Sequence, residues 1–196
     1  MGRSEDTKKR IYDAIFDLMA QTPVDKIPVD AVACAAGISR SSFYRYFSSV
    51  NDAVKEYEDG LVAVLTRIND LSLKIRFTAL DAEGTHSLVE AFTVVSENRE
   101  KIRALNGANG DPAFQRKVDR IIERTLREHV PDRLKSRVGD YDLYVAYSVA
   151  GHNAAVNRWL VEASDLNPIG FAADLSRMLY APLLLGENET FPRGLS

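Results

Sequence analysis

Arg40 and Arg45, set among Ser39, Ser41, Ser42, Tyr44 and Tyr46, make a run of hydrogen-bond donors suited to gripping phosphates and base edges. From Ala31 to Val50 there is no Asp or Glu, so nothing inside the segment repels a polyanion. Helical spacing sorts these residues. Phe43 and Phe47 stand four apart on one face, while Arg40 and Tyr44 form a second stripe with Ser41 and Arg45 beside it. One face can pack and the other can touch DNA. A solvated helical hairpin would show the same periodicity, so spacing alone leaves both readings open.

Catalytic chemistry is poorly represented. His86, His129 and His152 lack the i, i+4 or CxxC company of a zinc or acid–base site, and no Gly-rich phosphate loop, G-x-S-x-G elbow or Cys/His pairing signature occurs. The many Asp and Glu residues read as solvated helix surface. Neither an enzyme, a metal nor a cofactor is expected. Cys34, the single cysteine, lies in the apolar run VACAAG and is expected to be a buried, inert thiol.

The elements that must position the donor run are helices throughout. Residues 29–36 form an alanine-rich amphipathic helix, Gly37 ends it as a residue free to take the left-handed backbone, and Ser39 caps the next one. A first helix over 7–21 buries Ile11, Ala14, Ile15, Leu18 and Met19, and QTPVDKIP breaks it. Ser49 and Asp52 resemble a capping box for a long fourth helix reaching about residue 80, striped with Leu61, Val64, Leu65, Ile68, Leu71 and Ile75. DAEGTHS ends one segment. Further helices follow over 87–105, 112–129, 132–138, 141–163 and 168–185, and no strand series appears.

At 196 residues with net charge −3, the chain suits one or two helical domains sharing a core. Residues 1–50 hold seven Lys and Arg against six Asp and Glu, so basic character is local to the recognition segment and the arm Arg3, Lys8, Lys9 and Arg10. That arm reads either as a solvated tail or as a set of phosphate contacts. No h-region and no apolar stretch near 18 residues occurs, so neither a signal peptide nor a membrane span is expected and the compartment expected is the cytoplasm.

The run Ala36-Gly37-Ile38-Ser39-Arg40-Ser41-Ser42-Phe43-Tyr44-Arg45-Tyr46-Phe47-Ser48-Ser49 resembles the DNA-binding domain of TetR-type (tetracycline-repressor family) transcription regulators. It departs from the family pattern at Val50, where a phosphate-binding Lys is usual, at Pro28, where a Thr usually opens the second helix, and at Ser41, often a Gly or Ala. The resemblance implies an all-α fold with two domains. Residues 1–50 would be a three-helix DNA-binding domain and 51–196 a helical effector-binding and dimerisation domain. Ser39, Arg40, Ser41, Ser42, Tyr44, Arg45 and Tyr46 are the expected DNA-binding residues.

Small residues recur along 141–163, with Ala146, Ala150 and Ala154 in one row and Tyr147, Gly151 and Ala155 in the next. These rows and the apolar face of 168–185 either complete the chain's own core or meet a second copy. The Tyr147, Gly151, Arg158, Trp159, Leu160 pattern resembles C-terminal domains of the same family. A lone recognition helix also reads too few base pairs to find a site, which favours a homodimer. The expected interface is Tyr147, Gly151, Ala154, Ala155, Phe171, Leu175 and Met178. By the same resemblance an effector pocket is expected near Tyr57, Phe77, Phe92, Tyr144, His152 and Asn153, each of which read singly also suits a core or a surface.

The function implied is a repressor that binds a palindromic operator as a homodimer and responds to a small molecule. The alternative is a helical dimeric adaptor or co-activator of the same fold with weak or no DNA binding. The operator, the effector and the regulated genes are not written in the sequence.

Overall fold

The structure, a computed structural model, describes residues 3–76, 82–162 and 166–184, with side chains at all of these except 3, 71–76, 82–88 and 184. The described residues form α-helices and a single 3-10 turn, Val24–Lys26, and no strand. The helices are α1 (Arg3–Met19), α2 (Val29–Ala35), α3 (Arg40–Tyr44), α4 (Val50–Arg76), α5 (Ala82–Glu97), α6 (Arg99–Asn106), α7 (Pro112–His129), α8 (Asp132–Lys135), α9 (Tyr141–Val161) and α10 (Pro168–Leu184). No helix among the described residues is long and apolar enough to cross a membrane.

Packing divides the chain into two units. The first joins residues 1–65 with 98–118; the second joins 66–97 with 119–196. The division in the packing falls inside α4, because α6 and the loop after it fold onto α1. Lys101 pairs with Asp13 at 2.7 Å, Asn109 Nδ2 donates to the Met19 carbonyl at 3.1 Å, and the Asn109 carbonyl accepts from the Val24 N–H at 3.0 Å.

In the first unit α1 buries Ile11, Ala14, Ile15 and Met19 as its spacing predicts, and Phe16 as well, while Leu18 is only half-buried. Phe16 packs edge-on against Tyr57 with ring centroids 4.9 Å apart. Glu58 is fully buried beside it on α4. Its Oε2 accepts from Lys117 at 2.9 Å, Lys117 also reaches Asp59 at 2.6 Å, and Oε1 has no hydrogen-bond partner. Burial pushes the Glu58 carboxyl up, and Lys117 pulls against that shift.

Several helix boundaries differ from the sequence reading: α1 runs from Arg3 to Met19 rather than over 7–21, α8 stops at Lys135, and the largest differences lie around α5. α5 begins at Ala82, so DAEGTHS is largely helical rather than a break. The helix expected over 87–105 is interrupted at Asn98, whose side chain accepts a 2.6 Å hydrogen bond from the Tyr57 hydroxyl and whose backbone leaves the helical region. The second unit centres on Phe92, Trp159 and Phe171. Trp159 and Phe171 stack 4.5 Å apart at 6°, Phe92 meets both edge-on, and the Trp159 indole N–H donates to the Leu166 carbonyl at 2.8 Å.

The turn between α2 and α3 has one backbone solution. Gly37 sits at φ +62°, the Ile38 N–H returns to the Ala33 carbonyl at 2.9 Å and the Gly37 N–H to Cys34 at 3.1 Å, which closes α2 with a Schellman motif. A Cβ at Gly37 would stand 2.9 Å from Nη2 of Arg10, the group that donates to the carbonyls of Ala36 and Gly37. Gly37→Ala is therefore expected to cost about 1–2 kcal/mol of stability from the left-handed backbone alone. Urea unfolding checks this, with Gly37→Asn losing less than Gly37→Ala because Asn tolerates that region better.

Candidate nucleic-acid interface

A five-residue helix has no stability of its own, so α3 depends on its cap and its anchors. Ser39 Oγ accepts from the Ser42 N–H at 3.1 Å and lies 2.9 Å from the hydroxyls of both Ser41 and Ser42. Phe43 is fully buried and Phe47 nearly so, with centroids 5.9 Å apart, and Phe47 also meets Tyr12 at 5.6 Å. Burying each ring contributes about 1.5–3 kcal/mol against about 1 kcal/mol for a serine cap, so the two phenylalanines together outweigh the cap and fix which face turns outward.

The outward face carries Arg40, Ser41, Tyr44 and Arg45, all exposed. Arg40 stands over the Tyr44 ring at 5.6 Å, its Nη2 is 3.4 Å from the Tyr44 hydroxyl, and its Nη1 donates to Asp30 of α2 at 3.1 Å. Arg45 lies over the Tyr46 ring at 5.9 Å. The other three expected residues are engaged inside the chain. Ser39 and Ser42 make the cap, and hydrogen bonding with Thr7 and Ser4 of α1 holds the phenol of half-buried Tyr46 below the usual value.

Several expectations are corrected by this arrangement. Cys34 is exposed rather than buried, because α2 turns Val32, Ala33 and Ala36 inward and the next position around the helix faces solvent. In the basic arm, Lys8 pairs with Glu56 at 2.6 Å and Arg10 clamps the α2–α3 turn, so these two cations act within the protein. The Arg3 side chain lies outside the described residues. Val50 is 5% exposed, so its side chain belongs to the core, and Val50→Lys would have to bury a charge rather than present one to a phosphate. Pro28 precedes α2 in an extended conformation with no side-chain cap. Ser49 caps α4 by accepting from the Asp52 N–H at 3.1 Å, but the Asp52 carboxylate reaches back to the Ser48 N–H at 2.8 Å instead of closing the box on Ser49.

In the second unit α9 leaves a long stripe uncovered. Leu143, Ala146, Tyr147, Ala150, Gly151, Ala154 and Val161 are all exposed, with Tyr147 at 72%. Met178 of α10 is 67% exposed, and Ala155 is half-buried. Phe171 and Leu175, by contrast, are buried in the chain's own core, so neither is available to a partner surface.

Of the residues expected around an effector, Phe92 and His152 lie together with ring centroids 6.0 Å apart, and Asn153 donates to Asp119 at 2.6 Å. Tyr144 is buried with its hydroxyl on the Leu179 carbonyl, a tie between α9 and α10. Tyr57 belongs to the aromatic packing of the first unit, and Phe77 lies outside the described residues.

A short capped helix with a buried aromatic face and an exposed face bearing Arg40 and Arg45, joined by a left-handed glycine turn to the helix before it, has the arrangement of a helix-turn-helix. Comparison with known proteins narrows the class. The description "Bacterial regulatory proteins, tetR family" matches residues 11–54, and "Transcriptional regulator C-terminal region" of the same family matches 85–181. The chain belongs to the TetR family of transcriptional regulators.

Among solved structures it is similar to the dihydroxyacetone kinase operon activator DhaS, with TM-score 0.60 and 19% identity over 90% of this chain and 96% of that one. It is also similar to a TetR transcriptional regulator from Streptococcus agalactiae, with TM-score 0.57 and 20% identity over 89% and 94% of the two chains. NalD of Pseudomonas aeruginosa, the secondary repressor of the MexAB-OprM efflux pump, gives TM-score 0.59 and 17% identity over 92% and 97%. At these identities the likeness is one of fold. Among curated proteins, none matches the sequence.

Burial pushes the His152 imidazole down to about 4, with the Asp119 carboxylate offsetting part of the shift. His152 is therefore neutral in the folded protein at pH 7. A folded value below the ordinary 6.5 means that the contribution is present above pH 6.5 and is lost as pH falls toward 4. Denaturant unfolding across that window is expected to show stability falling with acidification, and His152→Asn is expected to flatten the fall.

Proposed function

We propose that this regulator binds a palindromic operator as a homodimer through the exposed face of α3 and that a small molecule held in its second unit releases it. The observation that carries the DNA reading is the outward, acid-free set Arg40, Ser41, Tyr44 and Arg45 held on the buried Phe43 and Phe47. Arg40, at the start of the helix, takes the base-reading role, since the first turn of a recognition helix meets base edges. Tyr44 and Arg45 take phosphates, Ser41 adds a hydroxyl beside them, and Ser39, Ser42 and Tyr46 support the helix from within.

The α9 stripe supports the dimer. Small side chains at Ala146, Ala150, Gly151 and Ala154 let a second helix approach closely, and Leu143, Tyr147, Val161 and Met178 supply apolar area beside them. A two-headed body lying across an operator blocks access to it, so repression is the sign proposed, acting in the cytoplasm. Phe92, His152 and Asn153 remain the effector residues, with an aromatic wall and a neutral imidazole suited to a largely apolar ligand. An adaptor of the same fold is the second reading, favoured by the buried Val50 and by Pro28, positions where two phosphate contacts are missing.

Selection of bound sequences from a random duplex pool tests the reading, and a two-fold symmetric site is the expected result; no binding to any duplex would favour the adaptor. Arg40→Ala is expected to weaken the selected site by about 1–3 kcal/mol more than random DNA. Arg45→Ala is expected to weaken both alike and to reduce the slope of log affinity against log salt by about one. An added Cβ at Gly151 meets nothing within 4 Å in the chain, and Ala154 is exposed beside it. Ala154→Trp is accordingly expected to keep its helix content yet sediment as a monomer with operator affinity lost, because across a two-fold axis the clash is counted twice.

A further inference from the structure

Arg40 is held from two sides before any DNA is present. The Tyr44 ring lies beneath the guanidinium and the Asp30 carboxylate meets Nη1 at 3.1 Å, with the side chains of Arg40 and Asp30 60% and 67% exposed. Asp30 comes from the first turn of α2, outside the acid-free stretch that begins one residue later. No packing requirement explains it, since an exposed pair of this kind adds little to folding.

Its placement has two electrostatic consequences. A guanidinium with one nitrogen on a carboxylate and its centre over a phenol ring has fewer orientations open to its fork, which favours bidentate reading of a base edge. The carboxylate, 3.1 Å from Arg40 and largely exposed, also adds a negative charge beside the face that approaches DNA, where it opposes phosphates. A sequence that offers Arg40 a base edge compensates that opposition. A sequence that offers only backbone does not.

We propose that Asp30 is a specificity-determining residue of the DNA interface: it positions Arg40 for a base edge and lowers affinity for duplexes that lack that base. The inference rests on the DNA-binding reading above. Asp30→Asn keeps the size of the side chain and removes its charge. The variant is expected to bind random duplex about threefold to tenfold more tightly, with a salt slope steeper by about one. Its preference for the selected site over random DNA is expected to fall about fivefold or more, the loss confined to the base pair that Arg40→Ala also affects.

In an Arg40→Ala background the same substitution should leave preference unchanged, because the positioned group is gone. A purely structural Asp30 would instead weaken binding to every duplex, and that result overturns the inference. So does an Asp30→Asn protein with unaltered preference and slope, or an equal loss of preference with and without Arg40. If the wild-type chain binds no duplex at all, the DNA-binding reading fails and takes this inference with it; selective wild-type binding with an indifferent Asp30→Asn overturns this inference alone.

Discussion

The guanidinium of Arg10, lying across the carbonyl oxygens of Ala36 and Gly37, is the contact on which the geometry of the N-terminal unit depends. The end of a helix leaves carbonyls without partners, and a turn that must be tight, left-handed and exposed has little else to satisfy them. Arg10 does so from α1, so the direction in which α3 leaves α2 is set by a third helix. Phe43 and Phe47 then fix the roll of α3, Ser39 fixes its start, and Tyr46 ties its end back to α1. Each constraint acts on a different degree of freedom, and together they hold five residues in a conformation those residues would not keep alone.

Charge in this unit is arranged by subtraction. Lys8 is matched by Glu56, Lys101 by Asp13, Lys55 by Asp59, and Lys117 by Asp59 and the buried Glu58. These pairs are mostly at the surface and add little to stability, but they cancel field. A chain with net charge −3 can thereby present a locally positive face, because among the described residues Asp30 is the one carboxylate that forms an ion pair with Arg40 or Arg45. The buried Glu58 is the costly member of this set, since one oxygen lacks a partner and its one buried-side cation is shared.

What the sequence made legible was local. Gly37, Ser39 and the Phe43/Phe47 spacing each state a requirement of the backbone or of one helix face, and such requirements need no knowledge of neighbours. The all-helical fold and the start of α7 at Pro112 were readable for the same reason. What escaped was decided across elements. Nothing in the N-terminal run says that Arg10 meets a turn 26 residues on or that Tyr57 recruits Asn98 and splits a helix, and nothing in VACAAG says which way a two-turn helix faces. Phe171, Leu175 and Met178 share one apolar helix in sequence, yet only packing reveals that the first two are covered and the third is not.

The exposure of Cys34 changes the redox chemistry open to this chain. It is the single cysteine of the sequence, and it stands in solvent on α2, one helix away from the basic face. No second cysteine in this sequence can pair with it, so the pairing open to Cys34 here is with another molecule. Oxidised between two copies, it would link them through their α2 helices. That covalent pair would have a different geometry from one formed along α9, and a band of doubled mass that vanishes on reduction would be its signature, distinct from any association that survives a thiol reagent.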